Sequence, residues 1–243
     1  MKIQEATSSE VRNLWISVES RIGRATALED ASQELATAIH TRFDESVVLA
    51  RVYLAVPYGA LPEASKNFVR ALADSSGAAS ELKETTPVLS LVGTHGEEVS
   101  WNDRHNSIGH KGIPLISTSY VDAIPMISRL LRELGVPVEW ADTHDAEFIK
   151  KMGSGLFYVE NAAKATDQKG RKIIPAQEFV AAYKVKSVFG SGGAYANGQM
   201  VVVVVFCRDL VSRDIAERFM TLIDLFRTKT APLSESRAIF SRG

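Results

Sequence analysis

The stretch Met200-Val201-Val202-Val203-Val204-Val205-Phe206-Cys207 is an unbroken apolar run that contains five consecutive valines. β-Branched side chains fit a pleated strand and lose rotamer freedom in a helix, so the run predicts a β-strand. A strand with one wet face alternates apolar and polar residues. This one does not alternate, which predicts burial on both faces, at the centre of a sheet covered by helices.

Upstream of the run, Asn197-Gly198 supplies turn chemistry, and residues 184–189 have strand character. The two strands are expected to form an antiparallel hairpin with a longish loop. Gly190-Ser191-Gly192-Gly193 has the composition of a phosphate-cradling loop, but it lies between two strands and no helix follows it. It is therefore read as a loop that needs positive backbone angles and close approach to a neighbour. Downstream, Ser212 is placed to cap a last helix in which Ile215, Phe219, Leu222 and Phe226 share one face. Beyond Pro232, residues 234–243 read as a loose tail.

Toward the amino terminus, Thr7 and Glu10 have the spacing of a capping box, followed at helical intervals by Val11, Leu14, Trp15, Val18 and Ile22. A second helical pattern carries Leu28, Ala31, Leu35 and Ile39. Residues 47–56 predict a strand closed by Pro57-Tyr58-Gly59, and Pro62 then opens a helix that ends at Asp74-Ser75-Ser76-Gly77. Residues 88–92 predict another strand. Residues 93–112 are polar and irregular, Pro125 opens a helix stopped by Gly135, and residues 155–159 and 175–182 predict a strand and a short helix. The reading is α+β and GAF/PAS-like in arrangement, with a central, mainly antiparallel sheet of about five or six strands flanked by helices. No linker or repeat divides the chain, so one domain is expected over residues 1–233.

Composition narrows the function. The 243 residues are 45% hydrophobic and 23% charged, as in an ordinary globular domain. Lys and Arg number 28 against 29 Asp and Glu, so no global field draws nucleic acid. Cys207 is the single cysteine, which rules out an intrachain disulfide and an all-cysteine zinc site and fits a reducing compartment. The amino terminus turns polar at once, and the longest apolar run, Met200–Cys207, falls far short of the roughly 20 residues that span a bilayer. A soluble, cytoplasmic protein without a membrane partner is expected.

No serine sits in a nucleophile elbow, Cys207 reads as a packing residue, and no catalytic residue is assigned. His95, His105 and His110 cluster near Glu97, Glu98 and Asp103. No histidine pair has the one-turn spacing that places two imidazoles on one metal, and no metal site is assigned. A haem needs one axial histidine, a role open to His110, against a hydrogen-bonding histidine at a pocket rim. Trp101, Arg104, Tyr183, Phe189 and Tyr195 fall at expected sheet edges or in the irregular segment, where aromatics and a guanidinium can close over a planar or anionic ligand. The ligand-binding set is taken as Trp101, Arg104, His105, His110, Phe189 and Tyr195, on residues 101–115 facing a loop at residues 189–195.

The order of elements resembles the GAF domain, and the closing part from Tyr183 through the valine run to Phe219 is similar to the last two strands and terminal helix of GAF-type sensors ahead of bacterial histidine kinases and cyclases. Ser107-Ile108-Gly109-His110-Lys111-Gly112-Ile113-Pro114-Leu115 resembles the stretch that borders the pocket in such modules. The resemblance covers most of residues 10 to 230. It implies a non-catalytic sensory module in bacterial signal transduction that binds a small molecule, commonly as a dimer through its terminal helices, and that either signals to a separate protein or is a free-standing or excised sensor. The cyclic-nucleotide pattern is absent, since Phe43-Asp44-Glu45 lacks the gap and precedes the first strand. The free methionine sulfoxide reductases of this fold use several cysteines, and bilin attachment at Cys207 puts a thioether on a central strand. Three alternatives stand beside the sensor: an interaction or dimerisation module anchored by Trp15 and Phe226, a haem sensor using His110, and a cryptic enzyme acting through the loop that holds His105 and His110.

Overall fold

The computed structural model describes residues 1–107 and 109–241. Ile108, within the quoted pocket-bordering stretch, and residues 242–243 of the expected tail lie outside the described residues. In chain order the main elements are α1 (Ser8–Arg24), α2 (Leu28–Arg42), β1 (Val47–Pro57), α3 (Glu63–Ser75), β2 (Pro87–Gly96), β3 (Gly112–Pro114), α4 (Thr118–Asp122) and α5 (Pro125–Glu133). There follow α6 (Trp140–Thr143), α7 (Ala146–Lys150), β4 (Gly155–Val159), α8 (Gln177–Ala182), β5 (Ser187–Ala194), β6 (Met200–Cys207), α9 (Arg213–Arg218) and α10 (Met220–Glu235).

The strands form one six-stranded sheet in the order β3-β2-β1-β6-β5-β4, with every neighbouring pair antiparallel. The valine run is β6, flanked by β1 and β5 and buried along its whole length. Successive side chains of a strand point to opposite faces. Val201, Val203, Val205 and Cys207 enter the core beneath α1, α2 and α10, whereas Met200, Val202, Val204 and Phe206 enter the core beneath α5 and α8. Each fully buried valine stabilises the fold by roughly 1.5–3 kcal/mol relative to exposure, which is why a strand without a polar face holds the centre.

The first helical layer forms as its sequence predicts. Thr7 caps α1 by accepting the Glu10 amide at 3.2 Å, and Val11, Leu14, Trp15, Val18 and Ile22 are its buried face. Trp15 and Phe226 are both buried within the chain's own core, so the two aromatics read as anchors for a partner are spent on intramolecular packing. The α2 helix lies directly on β2. The Gln33 side-chain amide donates to the Thr94 carbonyl at 2.9 Å and accepts the Thr94 amide at 3.1 Å, clamping helix to strand. That approach is tight enough that a Cβ on Gly93 would sit 2.4 Å from the Ser32 backbone.

Two expectations are corrected. The Gly190–Gly193 segment is not a loop: β5 continues through it, with Gly190 opposite Val204 and Gly193 opposite Val201. Glycine is needed there for space within the sheet, because a Cβ on Gly190 would lie 2.4 Å from the Val203 carbonyl oxygen. The hairpin is consequently short, closed by Tyr195 and Gln199 through a 2.9 Å backbone hydrogen bond, with Gly198 at φ 85°. The described residues 234–241 of the segment read as a loose tail are also held by contacts. After α10 ends at Glu235, the Ala238 and Ile239 carbonyls accept the Leu28 and Glu29 amides at 2.8 and 2.9 Å. Ala27 offers α2 no side-chain cap, and the chain's end supplies acceptors for these first-turn amides. Among the described residues no helix is long and apolar enough to cross a membrane.

Two predictions follow from this packing. Gly93→Ala is expected to lower stability by about 1–3 kcal/mol in urea denaturation, since the clash is with backbone, while Gly153→Ala, in open space, is expected to be close to neutral. The second concerns His40 and His95, whose rings lie 5.0 Å apart between α2 and β2. Burial lowers the pKa of both, and at His40 the charge of His95 lowers it further. The unfolded chain therefore takes up protons at higher pH than the folded one, and stability is lost as pH falls through the ordinary histidine value of about 6.5. The urea midpoint should fall between about pH 7.5 and about pH 5.5, and replacing both histidines with Gln should reduce that slope.

Candidate functional site

The two faces of the sheet are filled unequally. On the α1, α2 and α10 side the core is packed by large side chains such as Phe43, Phe189 and Phe226. On the opposite side a cavity of about 230 Å³ remains between sheet and helices. Its floor is the sheet, with Leu49, Arg51 and Tyr53 from β1 and Val202, Val204 and Phe206 from β6. These residues share a face because they are spaced by two along each strand.

The roof comes from α5 and the segment that leads into α8. Pro125 occupies the first turn of α5, as the sequence predicts, and Ile127 and Leu130 on its buried face reach the cavity. Ile174 and Phe179 close the other side. Aromatic rings make the wall rigid: Phe179 packs edge-on to Phe206 with centroids 5.5 Å apart, Trp101 packs edge-on to Phe179 at 5.7 Å, and Tyr183 lies 4.7 Å from Trp101. The Tyr183 hydroxyl donates to Glu98 at 3.0 Å, which pins this cluster to the loop after β2. A wider depression of about 1,260 Å³ opens beside the end of α10, bordered by polar groups including Asp30, Gln199 and Arg237. The smaller cavity, apolar with a few convergent polar groups, has the character of a ligand site.

Arg51 is the charged residue of that cavity. Its Nη1 donates to the Tyr53 hydroxyl at 3.4 Å and the Gly109 carbonyl at 3.5 Å, and its Nη2 donates to the Ser107 hydroxyl at 3.2 Å. These acceptors are neutral and at or beyond the long end of hydrogen-bond distances. Its Nε is buried without a partner, and among the described residues none of the ion pairs within 4.0 Å involves Arg51. A guanidinium stays protonated at any physiological pH, so the cavity carries an uncompensated positive charge.

His110 stands at the mouth with a left-handed backbone, φ 56°, a conformation that non-glycine residues adopt infrequently. One side of the residue is open to solvent. The protein packed around its ring, and secondarily the Arg51 charge, lower its pKa and favour the neutral imidazole. It can then donate one hydrogen bond and accept another without adding charge.

Of the residues singled out in the sequence, Trp101 and His110 come together at the mouth of this cavity, and Tyr183 backs Trp101. The other four are elsewhere. Arg104 forms a bidentate pair with Glu29, in which Nη2 donates to Oε2 at 3.0 Å, and stacks over Phe240 at 5.1 Å. His105 is exposed beside the same carboxylate, 3.5 Å away. Phe189 and Tyr195 lie on the opposite face of the sheet: Phe189 packs on Phe219 at 5.1 Å, and the Tyr195 hydroxyl pairs with Thr230 at 2.8 Å, its pKa pushed up to about 12 by burial. The expected loop at residues 189–195 thus does not face residues 101–115, because β5 turns Phe189 toward the helices. The three clustered histidines also separate, with His95 on β2 packed against His40.

Sequence reasoning missed Arg51, Tyr53, Phe179 and Phe206. One signal was present: Arg51 is the sole charge in Val47-Val48-Leu49-Ala50-Arg51-Val52-Tyr53-Leu54-Ala55-Val56. A charge in the middle of an otherwise apolar strand needs a partner or a purpose. Cys207 lies on the far face, fully buried, its thiol pKa raised by burial and by Asp209.

No protein-family model matches the chain, and no curated protein matches it by sequence. Solved structures do. The phycoerythrobilin-bound GAF domain of a cyanobacterial phytochrome aligns over 93% of this chain and 97% of its own, with 13% identity and a TM-score of 0.51. The free methionine-R-sulfoxide reductase of Neisseria meningitidis, in complex with its substrate, aligns over 96% of both chains with 11% identity and a TM-score of 0.51. The phycocyanobilin-bound GAF domain of a cyanobacterial phytochrome aligns over 93% and 96% with 13% identity and a TM-score of 0.50. At such identities the likeness speaks to fold, and on that ground, together with the six-stranded antiparallel sheet between two helical layers, this chain has a GAF-like fold.

Proposed function

We propose that the protein is a sensory or regulatory module of bacterial signal transduction that binds one small molecule without transforming it. The observation that carries this reading is the cavity of about 230 Å³ between the sheet and α5 and α8, apolar on most sides, with Trp101 and His110 at its mouth. The fold neighbours lend support: the phytochrome domain holds phycoerythrobilin, and the reductase was solved with its substrate.

Size argues for a different ligand here. Ligand pockets commonly measure about 300–1,000 Å³, and this cavity falls just below that range. A linear tetrapyrrole or a haem, each with four pyrrole rings, exceeds it. Covalent bilin attachment has no thiol to use in this wall, since Cys207 is on the other face. The polar groups of the cavity, Arg51, Tyr53 and His110, are suited to holding and orienting a compact ligand. The site's loop also suits regulation, because Arg104 ties it to Glu29 of α2 and to Phe240 near the chain's end.

The reading is tested by thermal denaturation with a panel of small metabolites. A ligand at about 100 times its Kd should stabilise the protein by about 2.7 kcal/mol, roughly 5–10 °C for a domain of this size. Val204→Phe puts a ring into the cavity from the floor; it should stay folded by circular dichroism and lose the ligand-induced shift. A flat response of the unmodified protein to every compound would overturn the proposal.

A further inference from the structure

Building on that reading, we propose that the ligand is a small monocarboxylate with an apolar or aromatic body, its carboxylate paired with the Arg51 guanidinium. Among the described residues that line the cavity, Arg51 is the sole Lys or Arg side chain, and none is an Asp or Glu that would neutralise it. Its present acceptors are three neutral oxygens at 3.2–3.5 Å, and its Nε has none. A cation set in an apolar enclosure is costly unless it is paired, and a guanidinium matches a carboxylate through two parallel N–H donors.

The remainder of the wall specifies the rest of the molecule. Trp101, Phe179 and Phe206 form a connected aromatic side, and Leu89, Ile113 and Met126 complete an apolar enclosure. These groups offer nothing to a second charge. A phosphate monoester, close to doubly charged at neutral pH, meets one cation here and leaves charge unmatched, whereas a carboxylate is balanced by Arg51 alone. The cavity volume fits a body about the size of one aromatic ring or a short alkyl chain, which distinguishes this ligand from a fatty acid as well as from a tetrapyrrole.

The test uses the full chain and three probes that carry a phenyl ring on a one-atom spacer: phenylacetate, its neutral analogue phenylacetamide, and phenyl phosphate. Binding is followed by thermal shift and by the Trp101 contribution to fluorescence, with Trp101→Phe identifying that contribution against Trp15 and Trp140. Phenylacetate is expected to bind roughly 10- to 100-fold more tightly than phenylacetamide. In Arg51→Met, which keeps an unbranched side chain on the floor, phenylacetate should lose more affinity than phenylacetamide, so that the preference vanishes. Equal binding of acid and amide by the unmodified protein, or tighter binding of phenyl phosphate, would overturn the carboxylate assignment and leave the cavity reading standing. Failure of all three probes to bind would sink this inference. The cavity reading is judged separately by the metabolite panel and Val204→Phe.

Discussion

The two-faced burial of β6 is the constraint on which the rest of the structure depends. A strand of Met200–Cys207 composition cannot present either face to water, so the chain must supply cover on both sides of one sheet. It does so with different materials. Long helices α1, α2 and α10 lie on one face and pack it with large side chains, and short helices α5 and α8 roof the other less completely. The cavity is the space that this second, interrupted cover leaves.

Because each strand alternates faces, the parity of a residue decides whether it becomes core or ligand wall. Arg51 and Tyr53 fall on the cavity side of β1, and Ala50, Val52 and Leu54 on the packed side. The β1–β2 pairing contains an irregularity between Val52 and Tyr53, where the partner shifts from Gly93 to Leu91. Such irregularities twist a strand locally and re-aim its side chains. Next to it, Gln33 clamps Thr94 and Gly93 admits the α2 backbone, so the packed face is held rigidly directly behind the floor of the site.

The same parity explains what could be read from the sequence. The valine run, the capping box at Thr7 and the Pro125 start of α5 are local signals, and local chemistry suffices to place them. Gly190–Gly193 misleads because glycine signals loops by its flexibility and crowded strands by its smallness, and only the neighbouring Val203 carbonyl tells which applies. Phe189 and Tyr195 are read as ligand residues from their place at an expected sheet edge, yet β5 is buried on both sides together with its two serines, Ser187 and Ser191, so polarity does not reveal which way it faces. Arg51 was legible as an anomaly, a lone charge in an apolar strand, but its meaning required knowing that β2, β6, α5 and α8 surround it with apolar groups.

The loop between β2 and β3 joins the two halves of the molecule. On one side Ser107 and the Gly109 carbonyl hold the Arg51 guanidinium, and on the other Arg104 holds Glu29 and packs on Phe240. The Arg104 and Glu29 side chains are only 10% and 12% exposed, so their pairing is screened less by water than a surface contact. Glu29 in turn accepts the Ser241 amide at 3.0 Å, and the preceding residues of that segment cap α2. A group that binds Arg51 competes with Ser107 and Gly109 for the same donors. The same loop thus has the cavity's charge at one attachment and the helix layer at the other.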